Sequence, residues 1–89
     1  MSNLNQKYYP KPLLPFYTEA EVIYIDHYNK RVTVSYKDKD GKEQSLELSS
    51  KKPDFVITDF FKLGDKMSAE IVGYDVFLHY KDYRLNARI

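Results

Sequence analysis

The chain contains no cysteine. That excludes a disulfide framework, a thiolate metal site and a cysteine nucleophile, and leaves the core to hold by packing alone. Tryptophan is also absent. No apolar run approaches the roughly 20 residues that span a bilayer, and "MSNLNQKYYPKPLLPFY" has no continuous apolar stretch of signal-peptide length. A soluble, cytoplasmic protein is expected, the missing cysteine suiting a reducing interior. Charge of neither sign prevails: 14 Lys and Arg stand against 13 Asp and Glu, a net +1, without the basic excess that a phosphate-binding partner normally demands. Internal repeats and low-complexity tracts are missing too. With 89 residues the chain makes one small domain that buries only roughly two thirds of its unfolded surface, and a second domain does not fit.

What the chain does have in excess is tyrosine, nine residues. The amphipathic ring of tyrosine serves a core rim, a protein interface or a stacking platform for bases, and the half-buried rim is the commonest of these roles. Three of the four prolines, Pro10, Pro12 and Pro15, fall within residues 1–18, spaced so that neither a helix nor an interior strand crosses them. Residues 1–18 are therefore read as an arm. Its Tyr8, Tyr9, Leu13, Leu14, Phe16 and Tyr17 are too apolar for a solvated linker, so the arm is expected to lie over the domain or dock on a partner.

From Glu19 to the C-terminus the dominant period is two. "AEVIYIDHY" puts Glu21, Ile23, Ile25 and His27 on one face and Val22, Tyr24, Asp26 and Tyr28 on the other. "NK" offers a two-residue turn. "RVTVSYK" alternates cleanly, Val32, Val34 and Tyr36 inward and Arg31, Thr33, Ser35 and Lys37 outward. "DKDGKE" then supplies Asp-Gly hairpin chemistry, and "QSLELSS" sets Leu46 and Leu48 inward. The alternation breaks at "KKPDFVITDFFKLGDK". There Pro53 and Asp54 can start a short helix, and Phe55, Ile57, Phe60, Phe61 and Leu63 are apolar anchors for one end of a barrel. It returns in "MSAEIVGYD", with Met67, Ala69 and Ile71 inward and Gly73 a candidate bulge or bend. A last strand, with Leu85, Ala87 and Ile89 inward, follows a turn near Lys81 and Asp82. Five short strands with a capping segment between the third and fourth predict an all-β, OB-fold-like Greek-key barrel over residues 19–89. A five-stranded SH3-like barrel fits the position of the helical turn less well.

The segment "DFVITDFFKLGDKMSAEIVGYD", with the closing "YRLNARI", resembles the second half of the S-one RNA-binding domain family, a branch of the OB-fold. In that family a capping segment runs into a Gly-Asp turn, an alternating strand that ends near an Asp, and a closing strand of basic and small residues. Leu63, Gly64, Asp65, Ala69, Ile71, Asp75, Arg84 and Leu85 match in kind and order. The first half departs from the family pattern: Asn29, Lys30, Arg31 and Val32 stand where its Gly-Phe-Val segment is usual, and its Gly-Leu-Val-His segment has no counterpart. The resemblance implies a barrel that binds RNA or another single strand.

Such a ligand would cross the second and third strands, with bases stacked on aromatic rings and phosphates met by cations. The candidates for that role are Tyr24 and Tyr28 on the first strand, Arg31, Thr33, Ser35 and Lys37 on the second, and Arg84 and Arg88 on the last. Asp26, Glu47 and Glu70 on outward faces would oppose phosphate nearby. The competing expectation is a protein-binding or structural subunit, for example a small viral or phage factor or an OB-domain mimic, docking through the tyrosine-rich barrel and the arm. No catalytic, metal or cofactor site is expected. His27 and His79 are isolated, "DKDGKE" lacks the ligand series of a calcium loop, and Asp59 and Asp65 have no evident cleft to tune them as acid and base.

Overall fold

The computed structural model describes residues 14–49 and 56–87. Six strands and one helical turn follow in the order β1 (Phe16–Asp26), β2 (Arg31–Lys37), β3 (Glu43–Ser49), α1 (Ile57–Phe60), β4 (Lys66–Val72), β5 (Asp75–Tyr80) and β6 (Tyr83–Asn86). They form one antiparallel sheet in the order β3-β2-β1-β4-β5-β6. β4 returns to lie beside β1, outside the β1–β2–β3 meander, which is the Greek-key arrangement. The sheet curls into a half-barrel with β3 at one end and β6 at the other.

The expected five strands are therefore six, and Gly73 is the reason. It sits at φ 61 and opens a two-residue turn with Tyr74, after which Asp75 pairs with Val72. Positive φ at the first central position suits a glycine-led hairpin turn, so the residue read as a bulge ends β4 instead. The turn at Lys81–Asp82 falls where the sequence places it, Tyr80 pairing with Tyr83 across it.

β1 begins at Phe16 rather than Glu19, so Phe16, Tyr17 and Thr18, read as part of the arm, pair with Ile71, Glu70 and Ala69 of β4. Its two candidate faces turn out to be joined by a β-bulge. The ladder with β2 pairs Val22 with Val34 and Tyr24 with Thr33, so Ile23 is the extra residue. Ala20 and Val22 point inward before it and Ile25 packs on the core after it. A bulge shifts the side-chain phase by one residue, which is why neither face of "AEVIYIDHY" is cleanly apolar.

The concave face gathers Val22, Val32, Val34, Leu48, Met67, Ala69, Val76 and Leu78, with Ile57 and Phe61 of the capping segment closing over them. Burying each of the larger side chains contributes about 2 kcal/mol. Met67 and Ala69 are buried and Ile71 partly so, as their alternation predicts. Leu63, expected as an anchor, is exposed at the outer corner of a turn. Pro53, Asp54 and Phe55 lie outside the described residues, as does Ile89.

Candidate functional site

The convex face of β1, β2 and β3 carries most of the residues assigned to a nucleic-acid role. Thr33 and Ser35 lie half-buried along β2, between Arg31 and Lys37. Register sets acids opposite both cations: Arg31 pairs with Asp26 of β1 and Lys37 with Glu43 of β3. Arg31 also donates from Nη1 to Glu47 Oε1 at 3.0 Å. Tyr24 stands beside Thr33 with 59% of its surface exposed. Tyr28 is not on β1 but in the loop from His27 to Lys30, where it is 92% exposed.

That loop is longer than the expected two-residue Asn-Lys turn because Asp26 organises it. Asp26 accepts hydrogen bonds from the Tyr28 and Asn29 backbone amides and from Asn29 Nδ2. These bonds, the Asn29 side chain first, hold its carboxyl below the usual range. Lys30 closes the loop at φ 56, in the left-handed region that costs a non-glycine residue about 1–2 kcal/mol. At the next hairpin Asp38 does similar work, accepting from the Asp40 and Lys42 amides and from Gln44 Nε2.

A second cluster lies on the convex face of the other half of the sheet. Glu70 of β4, His79 of β5 and Arg84 of β6 fall on one face because Ser68 pairs with His79, Glu70 with Phe77, and His79 with Arg84. Glu70 Oε1 accepts from His79 Nε2 at 2.8 Å and from Arg84 Nε at 3.0 Å. The Arg84 guanidinium lies 3.7 Å from the centre of the Phe77 ring, and the Tyr17 ring stands 6.5 Å from that of His79. Arg84 and then His79 hold the Glu70 carboxyl below its ordinary pKa. Glu70 does face outward as expected, but its side chain is covered by its partners and is only 11% exposed. The strands beyond the Gly73 turn supply both partners. Reading that glycine as a turn would have aligned Glu70, Phe77, His79 and Arg84, which is the one signal of this cluster in the sequence.

The Gly64–Asp65 pair belongs to neither cluster. Lys62 to Asp65 form a turn in which the Asp65 amide donates to Lys62 O at 3.0 Å, with Gly64 at φ 88 as a type II turn requires. The Val22 amide donates to Asp65 O at 2.9 Å, and the Gly64 amide donates to Val22 O at 2.8 Å. The turn thereby docks on β1 beside its bulge. The Asp65 carboxylate accepts from the Lys62 amide and from the Tyr80 hydroxyl. Tyr80 packs against Phe60 and Phe61, and its bond to Asp65 pushes the phenol up to about 12. This is a structural latch that closes the capped end of the half-barrel.

The remaining candidates scatter. Leu14 is exposed, Phe16 and Tyr17 lie on β1, and Tyr8, Tyr9, Leu13 and Arg88 fall outside the described residues. Tyr74 in the β4–β5 turn and Tyr83 on β6 are exposed aromatics that the sequence did not single out. Among the described residues no group of three or more His, Asp or Glu is placed to hold a metal ion, and no helix is long and apolar enough to cross a membrane. Comparisons with family models, curated proteins and solved structures find no match.

Proposed function

We propose that the chain is a non-catalytic binding module whose partner is a protein surface, met by its exposed tyrosines. One observation carries the choice between partners. The described cations assigned to phosphate all have acids against them: Arg31 faces Asp26 and bonds Glu47, Lys37 faces Glu43, and Arg84 bonds Glu70. A groove that tracks a phosphate backbone needs uncompensated positive charge. Exposed Tyr17, Tyr24, Tyr28, Tyr74 and Tyr83 instead offer large, amphipathic contact area of the kind that anchors protein interfaces.

A second reading, RNA or single-stranded nucleic acid on an OB-like barrel, is favoured by one feature. Tyr24 and Tyr28 are exposed close to Lys30 and Arg31 at the rim where β1 passes into β2, a pairing of ring and cation suited to a stacked base. Fluorescence anisotropy with mixed-sequence oligonucleotides at about 50 mM salt separates the two, since phosphate-led binding is strongest at low salt. The protein-surface reading expects no saturable binding. Saturable binding that weakens steeply with added salt and is lost in Tyr28→Ser would overturn it in favour of nucleic acid.

A further inference from the structure

The half-barrel ends in two strands, and they are not alike. β6 has four residues and is the second arm of the tight Lys81–Asp82 hairpin. β3 has seven residues in unbroken register with β2, from Glu43 opposite Lys37 to Ser49 opposite Arg31. Among the described residues nothing pairs with its far side. Proteins protect such edges with shortness, proline, bulges or charged side chains, because a row of free backbone groups otherwise templates another strand. β3 is neither short nor bulged and holds no proline. Its inward positions are Gln44, Leu46 and Leu48, its only charges are the outward Glu43 and Glu47, and Leu46 is left half-buried at the margin of the core.

We propose that the β3 edge pairs with the β3 edge of a second copy of this chain, antiparallel about a two-fold axis through Leu46. The inference goes beyond the proposed function, since it concerns the strand edge and not the tyrosines. What singles out a second copy as the occupant is the fit of the strand to itself. Centring on Leu46 overlaps the whole of Glu43–Ser49. Leu46 then meets its own copy, Gln44 meets Leu48, Ser45 meets Glu47 and Glu43 meets Ser49.

No like charges stand opposite one another, which is the arrangement that destabilises a ladder. Both acids of the edge, Glu43 and Glu47, therefore face serines, Ser49 and Ser45, across the seam. On the concave side the two Leu46 side chains would extend the Val34–Leu46 row into a continuous apolar strip between the copies. The two-fold symmetry closes the assembly at a dimer, where a β3-to-β6 contact would run on into a filament.

The register gives the test. Ser45 is exposed on the outward side, so changing it leaves the core intact, and two-fold symmetry counts each change twice. Analytical ultracentrifugation between roughly 10 µM and 1 mM should show a monomer–dimer equilibrium. Ser45→Lys, placed opposite Glu47, should tighten it, and Ser45→Glu should weaken it by on the order of tenfold in Kd. Circular dichroism of both variants checks that the fold is kept.

Because the chain has no cysteine of its own, single cysteines report the axis directly. Leu46→Cys should cross-link to its own copy on oxidation, because paired Cα atoms lie about 5 Å apart. Gln44→Cys, displaced from the axis, should not. A monomer at every concentration, or equal effects of the two Ser45 variants, or cross-linking of Gln44→Cys as readily as of Leu46→Cys, overturns the proposal.

Discussion

Asp65 shows how much one side chain does when a turn brings it to the right place. It fixes its own turn through the Lys62 amide and reaches the far end of β5 through the Tyr80 hydroxyl. The bond makes stability depend on pH at both extremes. Tyr80 holds its proton more tightly folded than unfolded, about 12 against 10.0, so its contribution is complete below pH 10 and is lost as pH rises through the folded value. Asp65 is held below its ordinary 3.8, first by Tyr80 and then by the Lys62 amide. Its contribution is present above that ordinary value and is lost as pH falls through the depressed one. Tyr80→Phe should cost about 1.5–3 kcal/mol at neutral pH, as expected for a hydrogen bond to a charged group, and should flatten both limbs. Urea denaturation from pH 3 to 11 measures this, and an alkaline limb unchanged in the variant would show that another group sets it.

Among the elements, β2 and β1 mark the limits of what alternation reveals. "RVTVSYK" is legible because β2 keeps one phase from end to end, and Val32, Val34 and Tyr36 are buried as their spacing demands. "AEVIYIDHY" is not, because Ile23 is looped out and the inward set passes from Ala20 and Val22 to Ile25. The shift is held by the Gly64–Asp65 backbone bonds to Val22, a contact far away in sequence and therefore invisible to any local window. The same holds for Glu70, whose partners arrive from two later strands.

Deletion of Ile23 should accordingly be tolerated by the β1–β2 ladder, since Val22, Tyr24 and Ile25 then alternate regularly against Val34, Thr33 and Val32. Deletion of Thr33 from the unbulged β2 should abolish cooperative folding, because every residue beyond it changes face. Thermal unfolding of the two deletions compares them directly. Equal losses would mean that the bulge is required for folding and is not a local accommodation.

At the scale of the whole molecule, near-neutral composition turns, on the described β1–β2–β3 face, into cations and acids set side by side. A net charge of +1 could still conceal a basic face if the acids were gathered elsewhere, and the sequence left that open. Register closes much of the gap, because Asp26, Glu43 and Glu47 lie among the cations of β2. The double variant Glu43→Lys, Glu47→Lys frees Arg31 and Lys37 and adds two charges to the same face. It should bind oligonucleotides more tightly than the parent, log K falling against log salt concentration with a slope of roughly 0.7 per phosphate engaged. Anisotropy titrations at several salt concentrations read the slope, and a variant that binds no better than the parent would show that these acids do not govern the face.

The place of β1 between two meanders has a consequence for the order in which the molecule assembles. β1–β2–β3 and β4–β5–β6 are each built from hairpins between neighbours in sequence, and among the strand ladders of the described residues that from Phe16–Ile71 to Glu21–Lys66 is the one that joins them. Hairpins close cheaply, but this ladder must bring together strands separated by two others and a helix, and the entropy of that closure comes before its contacts form. The slow step of folding is thus the meeting of two halves along β1, and the bulge with its docked Gly64 turn lies where the joining ladder ends.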